Sequence, residues 1–314
     1  MKTPFGQMIR VGLLAFSAAT LTVTPSLSQQ ISDPDFKPEI GPPTFQNSTD
    51  LKVYIDEGHN NFHTKSGRYA PFSALLEADG FQVTTSTGNF TKNTLENIQI
   101  LVIANPLASA NLKSTRLPTY SAFTGEEIQT LTNWVSQGGS LLLIADHMPW
   151  GGAAAGLAES FGLLFSNGYA LSKQGKGINY FTPQSGLVSN HPIALGSAYG
   201  KTIDQVLTFT GQGFRTQRGS NAKPLLILGD EMLLLMPTEA WKISGETPRL
   251  SASGMFQAAT LRYGKGRLAA FGEAGLFSAQ LTKRGERMGM NHPDAVQNAQ
   301  FALNVMHWLA GIER

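Results

Sequence analysis

The sequence predicts an α/β fold: a doubly wound, flavodoxin-like, mostly parallel sheet with helices on both faces and extra edge strands and loops in its second half. Two observations carry this. Four short apolar runs each stop at a polar residue, as strands buried on both faces do. Stretches of helical periodicity fall between them, and strand–helix–strand alternation with right-handed crossovers builds a parallel sheet.

The elements follow in order. Lys2 and Arg10 precede or open an apolar stretch, Val11–Val23, and the small residues Ser26 and Ser28 come next. That is the layout of a secretory signal peptide over 1–28, with an apolar part too short to span a bilayer comfortably. An exported protein, periplasmic or secreted, is expected. Residues 29–50 hold Pro34, Pro38, Pro42 and Pro43 and form an extended lead-in or linker. A single domain of about 260 residues, 51–314, is long enough for a deep core.

Within that domain, Leu51–Asp56, Gln99–Asn105, Ser140–Asp146 and Arg267–Glu273 are the buried strands, with a more exposed one at Phe81–Ser86. Tyr69–Ala78 is a helix stopped by Gly80. Thr124–Gln137 is another: Thr124 and Glu127 form a capping box, and Gly138 and Gly139 supply the left-handed stop. Small residues fill a helix over Gly152–Phe161. The last helix runs from Asp294, its expected N-cap, to Ala310. Between Leu163 and Phe256 the pattern loosens. Strands are expected there at Gln205–Thr210, Pro224–Gly229 and Met232–Met236, and at Gln257–Tyr263 just beyond, added to one edge of the sheet.

Composition excludes several functions. With Lys2 and Arg10 removed, basic and acidic residues are equal in number, and no basic patch interleaves with aromatics. A nucleic-acid partner is not expected. The chain has no cysteine. It therefore has no disulfide, no thiolate nucleophile, no zinc–thiolate site and no N-terminal lipid. No second long apolar run follows the signal segment, so no membrane span is expected in the mature protein.

In an open parallel sheet, ligands bind outside the carboxyl ends of the strands. The first strand leads into Asp56, Glu57, His59 and Asn60, with His63 beyond. The next ends at Asn105, the third at Asp146 and His147, and the last at Glu273; Asn291 and His292 stand just before the final helix. Four of the six histidines belong to this rim. Asp56, His59, Asp146, His147 and Glu273 are candidate catalytic residues, since Asp–His or Glu–His pairs act as general bases. Glu57, Asn60, Asn105, Asn291 and His292 are candidate ligand contacts. Asp56, His59, His63, Asp146 and His147 could hold a divalent ion such as zinc or manganese. The competing explanation is that acids and histidines gather at strand ends because solvent and free amides welcome them.

Other residues carry less. Met148–Gly152 is a turn whose glycines could admit an anion to a helix N-terminus, but no Gly-Lys-Ser/Thr follows to make a phosphate loop. His191 fits a turn, and His307 suits the end of the last helix. Asn47 and Asn89 match glycosylation acceptors. Asp56 and Glu57 are adjacent on a strand, point to opposite faces and cannot straddle one bond.

Three stretches together resemble a known group: Asp56-Glu57-Gly58-His59-Asn60, the run Ser140 to His147 after Gly-Gly, and Asn298 to Leu309. They are similar to bacterial domains of the class I glutamine amidotransferase-like superfamily, relatives of trehalose-utilisation-type and gliding/intraflagellar-transport-type domains. The resemblance covers roughly Leu51 to Gly311. Catalytic members carry a Cys at the turn after a central strand, with a His and a Glu after a late one. Here the turn is Ala145-Asp146-His147-Met148, and Glu273 alone stands at the late strand. A cysteine-dependent glutaminase is excluded. The resemblance implies an exported domain binding a small polar ligand, a saccharide or envelope fragment, at this rim. A metal-assisted hydrolase with Glu273 as base is the alternative. A protein-binding module using the loops between Leu163 and Phe256 is the third.

Overall fold

The computed structural model describes residues 30–45, 51–196 and 200–312. The expected signal segment, 1–28, and the acceptor Asn47 lie outside the described residues.

One large sheet organises the chain. Its central strands are β1 (Lys52–Asp56), β2 (Gln82–Ser86), β3 (Ile100–Ala104), β4 (Ser140–Ile144), β5 (Phe256–Tyr263) and β6 (Gly266–Phe271), in spatial order β2-β1-β3-β4-β6-β5. From β2 to β6 every pairing is parallel. β5 returns antiparallel to β6, and Phe214–Thr216, Lys223–Ile227 and Leu163–Phe165 extend the sheet antiparallel beyond it. The sheet is therefore mixed. Its parallel half has the 2-1-3-4-5 order of flavodoxin-like sheets. Its antiparallel half falls where the sequence pattern loosens.

Strand alternation divides the core into two layers. Val53, Ile55, Val102, Ile144 and Phe271 face helices α1 (Ala70–Ala78) and α4 (Asn298–Leu309), whose Phe72, Leu76, Phe301 and Val305 meet them. Leu101, Ile103, Leu141, Leu143 and Ala270 face α2 (Gly125–Gln137) and α3 (Trp150–Ser160), through Leu131, Val135 and Leu157. Each large apolar side chain so buried contributes roughly 1.5–3 kcal/mol. Both faces are covered, so the strands read as continuous apolar runs.

Local chemistry explains some boundaries and tertiary contacts the others. α2 starts as expected: Thr124 and Glu127 complete a capping box, and Gly138 ends the helix at φ 129°. α3 starts at Trp150, earlier than the small-residue run implies. A Cβ on Gly151 would meet the Gln212 side chain and one on Gly152 that of Asn167, so the glycines serve packing, not an anion. α4 starts at Asn298, not Asp294. Asp294 instead accepts the Tyr180 hydroxyl at 2.7 Å, while the Asn298 side chain bonds Leu207 N–H and C=O at 2.9 and 2.7 Å. That positions the helix start without an N-cap side chain.

The lead-in is extended but not a free linker. Ile31–Ser32 pairs with Ala279–Leu281, and Phe36, Ile40 and Phe45 pack on the core. His307 does more than face a helix end: it is buried and joins Asp79, at the end of α1, through Nε2 at 2.7 Å. His191 accepts Ile193 N–H through Nδ1 and meets Thr260 through Nε2, as a turn residue should. Among the described residues no helix is long and apolar enough to cross a membrane.

Candidate functional site

Two polar clusters stand at the carboxyl edge of the parallel strands. The first is closed. After β1 the chain turns on Asp56, whose Oδ1 accepts Gly58 N–H (3.0 Å) and whose Oδ2 accepts Asn61 Nδ2 (2.9 Å). The turn sets His59 between two carboxylates. Its Nδ1 lies 3.0 and 2.9 Å from the Asp56 oxygens, and its Nε2 lies 3.0 Å from Glu127 Oε1. Carboxylates only accept, so both ring nitrogens donate and the ring is an imidazolium. Burial pulls the His59 pKa down, but Asp56 and Glu127 outweigh it and hold it above the usual value. Glu127 also accepts Phe90 N–H (3.1 Å) and the Thr124 N–H and hydroxyl (2.9 Å each). Burial would raise Glu127, but these bonds and His59 lower it. Phe90 stacks on the imidazole at 4.6 Å and Phe123 lies at 4.8 Å.

Each carboxylate oxygen here accepts two bonds, its full capacity. Asp56 and His59 are thus engaged with each other, with Glu127 and with the turn. Glu57 and Asn60 bond the backbone as well. Glu57 accepts Lys65 N–H (2.8 Å), and Asn60 donates to Leu107 C=O (2.9 Å). Asn291 donates to Asp33 (2.8 Å) and so anchors the lead-in. None of these five lines the cavity described next.

The second cluster is open. A cavity of about 930 Å³ lies outside the ends of β3, β4 and β6 and is lined by His63, Asn105, Asp146, His147, Glu273 and His292, all six expected at the rim. Asn105 organises its floor. Its Oδ1 accepts Asp146 N–H (2.8 Å), and its Nδ2 donates to His63 Nδ1 (3.2 Å). That fixes His63 as the Nε2–H tautomer. Burial, with Arg68 nearby, holds the His63 pKa down to about 3, so the ring is neutral.

Asp146 accepts the backbone N–H of His147 (2.7 Å) and of Ala274 (3.4 Å); Glu273 accepts those of Gly275 (2.5 Å) and Leu276 (2.9 Å). Two buried carboxyls on one cavity cannot both ionise freely. Burial and the charge of Asp146 push Glu273 well above the carboxylate range. Burial also raises Asp146, partly offset by His147. His147 donates through Nδ1 to Met148 C=O (2.9 Å), and its Nε2 lies 3.8 Å from Asp146.

The ion set expected at Asp56, His59, His63, Asp146 and His147 is thus split between the two clusters. Among the described residues no group of three or more His, Asp or Glu is placed to hold a metal.

Sequence patterning missed the aromatic wall. Phe62, Trp150 and Trp241 line the cavity as neighbouring rings, with centroids 4.8 Å apart from Phe62 to Trp150 and 5.9 Å from Trp150 to Trp241. Tyr169 braces them: its hydroxyl donates to Met148 C=O (3.1 Å) and accepts Trp241 N–H (2.9 Å), and its ring stacks on His147 at 4.2 Å. Phe209 and Arg68 also face the cavity. The available signal was aromatics set among turn-formers and polar residues, as in Pro149-Trp150-Gly151, where core packing alone explains them poorly. Backbone strain collects here too. Of the non-glycine residues at positive φ among those described, Asn105 (48°), Thr210 (69°) and Trp241 (63°) all line the cavity. Such conformations are costly for branched or bulky residues and gather at ligand sites.

No family model matches the sequence, and no curated protein matches it. Solved structures do resemble the fold. The N-terminal domain of mmIFT52 superposes with a TM-score of 0.55 at 16% identity, over 82% of this chain and 97% of that one. A ThuA-like protein from Bacteroides uniformis ATCC 8492 gives a TM-score of 0.46 at 11% identity, over 88% and 96%. Another from Parabacteroides merdae ATCC 43184 gives 0.45 at 14%, over 84% and 91%. At such identities the likeness concerns the fold alone, a mixed α/β sheet shared with the mmIFT52 N-terminal domain.

Proposed function

We propose that this protein binds a small polyhydroxylated ligand of the saccharide class in the cavity at the carboxyl edge of its sheet. The observation that carries this is the pairing of surfaces in one cavity. Phe62, Trp150 and Trp241 offer apolar faces, and Asn105, Asp146, His63 and Glu273 offer donors and acceptors beside them. A sugar presents the same two faces, C–H on its ring planes and hydroxyls at its edges. Sites for small ligands combine an apolar lining with a few placed polar groups in this way. The signal-like sequence of residues 1–28 supports a ligand met outside the cytoplasm, such as a saccharide or envelope fragment.

Trp150 and Trp241 report on occupancy. Titration of residues 29–314 with neutral and acidic mono- and oligosaccharides should shift the tryptophan emission saturably. Trp150→Ala should weaken binding roughly tenfold or more, as loss of a buried aromatic anchor does. A complete panel without a saturable shift, and without a gain in thermal midpoint, overturns the proposal.

A second reading rests on the carboxyl pair. Burial and the charge of Asp146 push Glu273 well above the carboxylate range, and burial raises Asp146 with His147 opposing it. One acid and one carboxylate on a cavity are the elements of general acid–base hydrolysis. No ion is needed in that scheme. Release of the aglycone from chromogenic glycosides, lost in both Glu273→Gln and Asp146→Asn, is the expected outcome. Turnover that survives either substitution removes it.

A further inference from the structure

We propose that the ligand is an acidic saccharide whose oxyanion is received by Arg68 and His63. This rests on the saccharide reading and adds a charge to it.

Arg68 lies on the loop after β1, half buried, with its guanidinium carbon 3.8 Å over the Phe62 ring. Among the described residues its only hydrogen bond is a long one, Nη1 to Phe62 C=O at 3.5 Å. Its Nε is buried with no hydrogen-bond partner. No carboxylate of the described residues pairs with it. A partly desolvated guanidinium ordinarily has an acidic partner, and a buried N–H without an acceptor is costly. His63 repeats the pattern. Asn105 takes its Nδ1, so Nε2 carries the proton, and Nε2 has no acceptor among the described residues. Both residues line the same cavity, on the side where Phe62 begins the aromatic wall. Two donors, one of them charged, therefore face the cavity without an acceptor.

The acceptor they fit is an oxyanion, a carboxylate or a phosphate. The guanidinium plane matches both. Burial and Asp146 push Glu273 toward its protonated form, which limits its repulsion of an anion. The Asp146 charge is engaged by backbone amides, so the cavity tolerates an anion at the Arg68 end. Phe62 serves both parts of the site: its ring meets Trp150 on one side and supports Arg68 on the other. The saccharide ring on the wall and the charge on Arg68 are thus contiguous.

The test compares matched pairs by calorimetry: glucuronate with glucose, galacturonate with galactose, and glucose 6-phosphate with glucose, each with wild type and Arg68→Gln. Circular dichroism and the thermal midpoint check that the variant is folded. The acidic member of a pair should bind roughly tenfold to a hundredfold more tightly to wild type, and Arg68→Gln should erase that preference while keeping the neutral sugar. A preference for carboxylate pairs alone, or for the phosphate alone, identifies the source of the anion. Equal binding of acid and neutral sugar by wild type overturns the inference and leaves the saccharide reading standing. A preference that survives Arg68→Gln overturns it as well. If no sugar binds, acetate and inorganic phosphate are the probes. Stabilisation by either that Arg68→Gln abolishes keeps the anion site and discards the saccharide; indifference to both discards the two together.

Discussion

The Asp56–His59–Glu127 cluster and the cavity around Asp146 and Glu273 use the same residue types at the same sheet edge, and they differ in one respect. In the first, each oxygen and nitrogen has its full set of partners, and two phenylalanines cover the ring. In the second, a carboxyl is pushed well above its usual range, the Arg68 Nε lacks an acceptor among the described residues, and the backbone is strained. A saturated polar cluster stabilises a fold, whereas an unsaturated one on a cavity waits for a ligand. Residue identity does not separate the two; hydrogen-bond capacity does.

Substitutions sharpen the contrast, the largest effect first. His59→Ala should leave two buried carboxylates without their cation and cost roughly 3–5 kcal/mol in urea unfolding. A loss below about 1 kcal/mol would mean the clamp is not structural. Trp150→Ala should spare most stability and lose affinity instead, so the two variants should fail in different assays.

The pH dependence separates the histidines by sign. His63 and His191 have pKa values lowered from 6.5, to about 3 and about 4. The unfolded chain therefore binds more protons, and stability should fall as pH drops from 6.5 through those values. His191→Gln should flatten the part between 6.5 and about 4, measured as midpoint against pH. His59 is raised above 6.5, so its contribution is full below that value and is lost as pH rises through the folded one. His59→Ala should remove this alkaline slope.

Glu273 behaves likewise, because its carboxyl is raised above 4.5 by burial and by Asp146. Its ionisation opposes folding at higher pH. Glu273→Gln should keep the neutral shape, match wild type near pH 4 and exceed it at pH 8. A variant less stable than wild type at pH 8 would show that Glu273 is held ionised. The smallest effect is expected at Thr210, whose branched side chain sits at φ 69°. Thr210→Gly should stabilise by about 1 kcal/mol if the strain is real.

Much of the fold was legible. The runs ending at Asp56, Asn105, Asp146 and Glu273 became the parallel strands, and Thr124 with Glu127 became the cap of α2. The antiparallel strands at Leu163–Phe165 and Phe214–Thr216 were not, because each is too short to show a period. Of the rim residues, Asn105, Asp146, His147, Glu273, His63 and His292 share the cavity, while Asp56, His59, Glu57, Asn60 and Asn291 are engaged elsewhere.

The sequence by itself determined which strands are buried, which end of the sheet gathers the polar groups, and that no thiol acts there. Those properties follow from alternation, capping and composition, which are local in the chain. Tertiary structure decided which histidine is saturated and which is open. His59 is closed by Glu127, 68 positions away, and His63 is oriented by Asn105, 42 away. It also decided that Trp150 and Trp241, distant in sequence, stand 5.9 Å apart on one wall. Partners brought together by folding set the hydrogen-bond count of a side chain, and no periodicity in the chain encodes that count.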